Sequence, residues 1–410
     1  MDADSFFASC EQSRNPKFKN KPVVVGGVDR GIAVAISLEA KKRGIYRGMG
    51  IRDMKEVCPD VIALPVDMRL YGLYSKSMFE IVQKYTYVLE KYSIDECFAL
   101  VHVDSWEQSK KVAEKIKDEI FKKLDITVSI GVSETKIIAK TASKRNKPNG
   151  VCLIIPQSTE ARNIFKETGI GKVWGIGGQS ALRLQKDGIE TIADFVRLHQ
   201  DFVSRKYNKP LRVIWQELSG MSVMKVISGT VPQKSIQKTR TFKPITGDVS
   251  DVLSHLSMNI ERAFWRVRKM NLMPREINIF LKTNEFTYKR KSFSFPEGVI
   301  NQSDVIKTAK KFCEQSIKKG ELYRATGITL GSLYPVDIQQ NLFADSASNS
   351  RLISMYRAID DLALKYGKGM VTLGTSFRSA KSYGPRLSQR FLSYDLQIPR
   401  LGLPFCGFVK

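Results

Sequence analysis

Tyr92-Ser93-Ile94-Asp95-Glu96-Cys97-Phe98 sets two adjacent carboxylates inside a run that otherwise reads as a β-hairpin. Val88 and Leu89 lead in, and Phe98 to Val103 lead out as a mostly apolar strand. Asp95 and Glu96 are therefore expected at the tip or early return of a buried hairpin. Neighbouring side chains on a strand point to opposite faces, so one hairpin serves two metal positions only if its turn twists the pair around one edge. An isolated Asp-Glu pair is also an ordinary polar turn. Other stretches have to decide between the two.

The deciding partner is Met1-Asp2-Ala3-Asp4-Ser5-Phe6-Phe7-Ala8-Ser9-Cys10-Glu11. Asp2 falls where a short strand would end and a helix from Phe6 to Glu11 would begin, a place from which a carboxylate reaches a metal shared with a neighbouring strand. Three carboxylates on adjacent strand ends suit one or two Mg2+ ions, which take oxygen ligands and bridge to substrate phosphates. The pattern points to phosphoryl transfer.

Composition bounds the partners. Lys and Arg number 66 against 41 Asp and Glu, a net charge of +25, which suggests a polyanion, although a merely basic protein has the same total. Residues 1–227 carry 37 basic and 27 acidic residues, net +10, and residues 228–334 carry 19 and 9, also net +10 in less than half the length. The second stretch is the stronger candidate for tracking a phosphate backbone. The 6 cysteines, at 10, 58, 97, 152, 313 and 406, show no Cys-x-x-Cys spacing, which argues against zinc and fits a reducing cytoplasm. No apolar run approaches membrane-spanning length and no signal peptide precedes Asp2, so no membrane partner is expected.

Together these stretches resemble the Y-family translesion DNA polymerases, on the branch of the bacterial polymerase IV and polymerase V catalytic subunits. The residues that carry the resemblance are Asp2 to Glu11, Ser93-Ile94-Asp95-Glu96, Ser129-Ile130-Gly131-Val132-Ser133, Lys147-Pro148-Asn149-Gly150 and Val173-Trp174-Gly175-Ile176-Gly177. They stand in the family's order and spacing within residues 1 to about 340. The resemblance implies an α+β right-hand polymerase. Its palm, of antiparallel sheet backed by two helices, would be residues 1–10 and 66–159, and its small fingers 11–65. A helical thumb with a helix-hairpin-helix would be 160–227, a linker 228–236, a split βαβ little finger 237–334 and a tail 335–410.

The same resemblance implies the roles. Asp2, Asp95, Glu96 and the Ala3 backbone carbonyl would hold two Mg2+ ions for in-line attack of a primer 3′ hydroxyl on the α-phosphate, with carboxylates that need no shifted pKa. Phe7 would be the steric gate against a ribose 2′-hydroxyl, with Phe6 beside it in the core. Lys41 and Lys147 would meet the triphosphate of the incoming deoxynucleotide. Here the chain departs from the polymerase IV pattern, since Leu38 replaces a tyrosine and Lys41 an arginine, giving up the bidentate fork. The polymerase V branch is similar at these places. Lys147, just past a helix end, also suits ordinary dipole complementation.

Gly175-Ile176-Gly177 opens a helix expected over Ser180 to Lys186, and backbone amides there would hold a phosphate of the primer-template DNA without reading bases. A nucleotide-binding Gly-x-Gly loop is excluded, because no strand precedes it. Strand-helix-strand-strand-helix-strand from Ser235 to Leu333 matches the little finger, and places Lys238, Arg240, Lys282, Lys289, Arg290 and Lys291 on or beside strands as DNA contacts. Gln339-Gln340-Asn341-Leu342-Phe343 resembles a sliding-clamp peptide, with Gln339, Leu342 and Phe343 as its anchors. The polymerase V likeness adds SOS accessory proteins as partners. The family normally has several apolar residues ahead of the first aspartate where this sequence has only Met1, which motivates a rival reading: a catalytically impaired DNA-binding scaffold on the polymerase fold. A misplaced start or an incomplete sequence accounts for it better, since an inactive protein has no need of all three carboxylates.

Overall fold

In the computed structural model, which describes residues 1–26, 28, 31–229, 232–336, 346–366 and 371–381, the chain opens with a two-residue strand, β1 (Asp2–Ala3). Ser5, in the left-handed conformation, turns it into α1 (Phe6–Arg14). Next come β2 (Val23–Gly26), β3 (Ala33–Ile36), α2 (Leu38–Lys42), α3 (Ile51–Val57) and β4 (Ile62–Leu64). Then follow α4 (Met68–Gln83), β5 (Val88–Lys91), β6 (Cys97–Leu100), α5 (Trp106–Leu124), β7 (Val128–Val132), α6 (Lys136–Arg145) and β8 (Val151–Leu153). The helices α7 (Thr159–Glu167), α8 (Gly178–Lys186), α9 (Ile192–Val196), α10 (Gln200–Lys206) and α11 (Lys209–Leu218) complete the first of two units, residues 1–229. The second unit, residues 232–381, holds β9 (Ile236–Thr246), α12 (Val249–Lys269), β10 (Leu272–Thr283), β11 (Tyr288–Ser294), α13 (Gln302–Ser316), β12 (Tyr323–Pro335), α14 (Ser346–Tyr366) and α15 (Phe377–Lys381). No helix among the described residues is long and apolar enough to cross a membrane.

β1 is the joint of the first unit. It pairs antiparallel with β7, Asp2 opposite Ser129 and Ala3 opposite Val128, and meets the β5–β6 hairpin through a bridge between Asp2 and Glu96. β7 runs parallel to β8, so the sheet is mixed and not antiparallel throughout. The cause is α6, a crossover helix that returns the chain in the same direction. Tyr71, Met78 and Phe79 of α4 and Ile116, Ile120 and Leu124 of α5 bury one face of the sheet against Val128 and Ile130. Full burial of each such side chain stabilises by about 1.5–3 kcal/mol. α5 turns Ala113, Ile116, Ile120 and Leu124 into this core, with Val112 at its margin.

Gly131 lets α6 lie directly on β7. A Cβ there would meet the Ala139 carbonyl oxygen at 1.9 Å and the Ser143 nitrogen at 2.3 Å, distances no side chain tolerates. Away from that contact, α6 contributes Ile137 and Ile138 to the core shared by α7 to α11. Both sides of this helix are therefore buried, which fixes whatever its remaining residues carry. β3, β2 and β4 form a separate small sheet with its own core around Val24, Ile36 and Met54.

The second unit is a four-stranded antiparallel sheet in the order β11-β10-β12-β9, with α12 and α13 on one face, as the split βαβ pattern predicts. Ile277, Ile279 and Leu281 of β10 and Ile328 and Leu330 of β12 face those helices. α14 begins at Ser346. It is held by Arg268, whose guanidinium spans both Asp360 oxygens at 2.7 and 2.8 Å and lies 4.6 Å from the ring centroid of buried Tyr356.

Candidate active site

Asp2 and Glu96 meet where β1 bridges β6, and one positive charge sits between them. Lys140 Nζ donates to Asp2 Oδ2 at 2.5 Å and to Glu96 Oε1 at 2.6 Å, from a side chain only 9% exposed. Lys147 donates to the other oxygen of Asp2 and lies 3.6 Å from Asp4. Asp4 is buried and works structurally, accepting from Ser129 Oγ at 2.9 Å and from the Asn149 backbone nitrogen at 2.8 Å. It thereby pins the turn after α6 against β1 and β7, which sets the reach of Lys147.

Charge is partitioned unevenly here. Burial by itself would raise the Asp2 carboxyl, but Glu96, Lys140 and Lys147 hold it well below the usual carboxylate range. Glu96 is raised, first by burial and then by Asp2, against the pull of Lys140. Burial opposes the charge on Lys140, and its two carboxylates nonetheless lift it above the ordinary lysine value. Two carboxylates taken from water onto one site do not titrate independently.

Asp95 stands beside this pair and not on the shared cation. Its Oδ1 accepts from Ser93 Oγ at 2.6 Å, and its backbone carbonyl accepts from the Ala3 nitrogen at 3.0 Å. Among the described residues no three metal-ligating side chains converge on one point. Asp2 and Glu96 do converge on a cation, the lysine ammonium, so their oxygens suit a positive ion bound at this junction. Ala3 lies in β1 with its pairing to Val128.

Phe6 is in the core, as expected, and Phe7 is partly buried with its ring stacked on Tyr71, centroids 4.3 Å apart and planes 12° from parallel. Tyr71 is itself fixed, fully buried and donating to Glu11 Oε1 at 2.8 Å. Lys41 is exposed on α2. Gly175 has φ 92°, a left-handed value that suits glycine, and Gly177 caps α8 with no side-chain hydrogen bond to its first turn. Trp174 ties this turn to the carboxylate hairpin, its ring 5.1 Å from Tyr92 and 5.4 Å from Phe98.

The six basic residues expected on the little-finger strands do not share a face. Lys282 of β10 opposes Tyr288, and Phe280 opposes Arg290, on the side away from the helices. Lys238 and Lys291 pair with the buried Ile328 and Ile279 and Arg240 with the buried Thr326, on the other side. Lys289 is engaged there, donating to the Ser316 carbonyl and the Tyr323 hydroxyl at 2.7 Å each and pairing with Glu321. Burial, aided by Arg262, depresses Arg240 to about 10. The open face has partners that sequence reasoning missed: Arg324 lies 4.1 Å from the Phe286 centroid, and Lys282 4.7 Å from Phe286 and 4.9 Å from Tyr288. These line a concavity of about 730 Å³ with Asn278 and Arg290. Gln339, Leu342 and Phe343 lie outside the described residues.

Lys140 was also missed. Its signal was available: a lysine three residues after Ile137 and two before Ala142 sits among buried positions of a helix.

The fold and the carboxylate junction together describe a phosphoryl-transfer enzyme of polymerase type, and the relatives agree. Residues 1–144 match the impB/mucB/samB family and residues 233–342 the impB/mucB/samB family C-terminal domain. A DNA polymerase IV of Desulfatibacillum aliphaticivorans is 29% identical over 90% of this chain and 94% of its own length. One from Ureaplasma parvum is 30% identical over 84% and 96%. A Y-family DNA polymerase chimera of Dbh and Dpo4 is similar in structure, with a TM-score of 0.71, 28% identity, and coverage of 82% of this chain and 98% of that one. An insertion ternary complex of Dbh DNA polymerase gives a TM-score of 0.52 at 27% identity over 82% and 98%.

The chain belongs to the impB/mucB/samB family, the DinB-like Y-family polymerases. It is a DNA-directed DNA polymerase of the translesion type, and nothing in these likenesses favours the impaired scaffold.

Proposed function

We propose that Asp2, Asp95 and Glu96, with the Ala3 carbonyl, form the catalytic oxygen set for two Mg2+ ions, and that the protein extends a primer with deoxynucleoside triphosphates opposite damaged template bases. The observation that carries this reading is the cation held between Asp2 and Glu96 at 2.5 and 2.6 Å. When bound, the ions would activate the primer hydroxyl and stabilise charge on the reacting phosphates. Asp2 and Glu96 are set by strand pairing and Asp95 by the hairpin turn, so the oxygens are pre-placed before substrate arrives. Lys147 reaches the triphosphate by exchanging one anion, Asp2, for another. Lys41, exposed on α2, adds a second charge. Phe7 cannot tilt back, because Tyr71 supports its ring, and so forms a rigid wall beneath C2′ of the sugar.

Residues 1–10 and 66–159 act as palm, 11–65 as fingers and 160–227 as thumb, with Gly175 and Gly177 offering amides to a duplex phosphate. Residues 237–334 act as the little finger, whose open face at Lys282, Arg290 and Arg324 tracks the DNA backbone. Gln339, Leu342 and Phe343 hook a sliding clamp, and SOS accessory proteins assist. The test is primer extension across an abasic site, in Mg2+ and in chelator. Extension that persists in chelator, or in the Asp95→Ala, Glu96→Ala double variant, would remove these residues from the chemistry.

A further inference from the structure

Both oxygens of Asp2 and one oxygen each of Glu96 and Asp95 are already engaged. Lys140 occupies Asp2 Oδ2 and Glu96 Oε1, Lys147 occupies Asp2 Oδ1, and Ser93 occupies Asp95 Oδ1. An ion arriving alone must displace at least one ammonium from Asp2. Lys140 has little freedom to leave: both sides of α6 are buried and Gly131 seats the helix on β7. Lys147 is different. It lies beyond the helix end on the 146–150 turn with a third of its side chain exposed, and a triphosphate is a better partner for it than one carboxylate.

We propose that the two lysines keep the carboxylate site closed to divalent ions until a nucleotide arrives: the triphosphate draws Lys147 from Asp2, the ion enters in its place, and Lys140 stays as the positioning charge that holds Asp2 and Glu96 in ligand geometry. This rests on the reading of Asp2 and Glu96 as metal ligands. It assigns to Lys147 the order in which the site fills, and to Lys140 the geometry of the two carboxylates. It also gives the closed state a purpose. A pair of carboxylates at bonding distance from one point would repel each other without a charge between them, and a resident lysine supplies that charge at no ionic cost to the cell.

The experiment is a Mn2+ titration of the full chain without DNA, following free ion by electron paramagnetic resonance, with and without a non-hydrolysable deoxynucleotide analogue. Glu96→Gln gives the baseline for ion carried by the analogue alone. Wild type should bind Mn2+ weakly until the analogue is present. Lys147→Met should tighten Mn2+ binding without nucleotide on the order of tenfold, by removing the positive charge that holds Asp2 Oδ1. Lys147→Arg, which keeps the charge, should behave as wild type. Lys147→Gln repeats the test should the Met variant melt early. Mn2+ affinity unchanged or weaker in both neutral variants, or an Arg variant that matches them, overturns the proposal while Glu96-dependent binding persists. Binding in wild type that equals Glu96→Gln under every condition overturns the metal-ligand reading itself.

Discussion

Gly131→Ala tests whether the packing of α6 on β7 sets the site. The added Cβ would stand 1.9 Å from the Ala139 oxygen, 2.3 Å from the Ser143 nitrogen and 2.9 Å from the Ala142 Cβ. Two of these are backbone atoms inside a helix, so no side chain can step aside. To reach ordinary contact α6 must lift from β7 by more than about 1 Å, and overpacking of this kind costs about 1–3 kcal/mol or somewhat more. The same movement carries Lys140 away from Asp2 and Glu96 and shifts the turn that bears Lys147. A displacement of about 1 Å can cost on the order of 10²-fold in rate, so kcat/KM for nucleotide should fall by that order. Gly72→Ala is the control. Gly72 lies inside α4 with nothing within 4 Å of a built Cβ, and the substitution should stabilise by about 0.5–1 kcal/mol without touching kinetics. Thermal melting and single-nucleotide insertion on one primer-template compare the two. A Gly131→Ala protein with wild-type melting and wild-type kcat/KM would refute the reasoning.

Asp95→Ala and Glu96→Ala should each abolish nucleotide addition while DNA affinity, measured by fluorescence anisotropy, survives; equal loss of both would make these residues structural. Phe7→Ala should raise ribonucleotide incorporation relative to deoxynucleotide, and an unchanged ratio would return Phe7 to the core. Lys282→Ala and Arg290→Ala should each lower the log-log salt slope of DNA binding by about 0.9, whereas Lys289→Ala should leave the slope alone and lower the melting temperature. The double substitution Leu342→Ala, Phe343→Ala should keep distributive synthesis on a short primer and lose stimulation by added clamp; stimulation that persists assigns the peptide another role.

Much of the fold was legible because local signals agreed with one another. The Val88–Leu100 hairpin and the strand-helix-strand-strand-helix-strand order each follow from a period of two or of 3.6 residues, and the structure has them with ends displaced by a few residues. What could not be read was set by pairing across long separations. The parallel β7–β8 pair depends on where α6 lands, and α6 lands where it does because residue 131 has no side chain. A glycine in a strand pattern announces a close approach but does not name what approaches.

The site divides along the same line. Asp2, Asp95 and Glu96 lie within a few residues of turn signals, and the expectation of metal chemistry arose from three acids at strand ends. Lys140 lies 138 positions from Asp2 and 44 from Glu96, and only the folded chain shows that its ammonium joins them. The basic strands of the second unit make the converse point. Six cations within reach of two strand edges read as one patch, yet alternation sends Lys289 toward the helices, where Glu321 and Tyr323 receive it, and Lys282 toward solvent, where Phe286 and Tyr288 flank it. Each of these lysines meets aromatic side chains, but only Lys289 is neutralised by a carboxylate. Lys282 lies 4.7 and 4.9 Å from its two rings on the open face. A cation held against rings keeps its charge and loses side-chain freedom, so it reaches a phosphate with less entropy left to lose than a lysine on a bare surface.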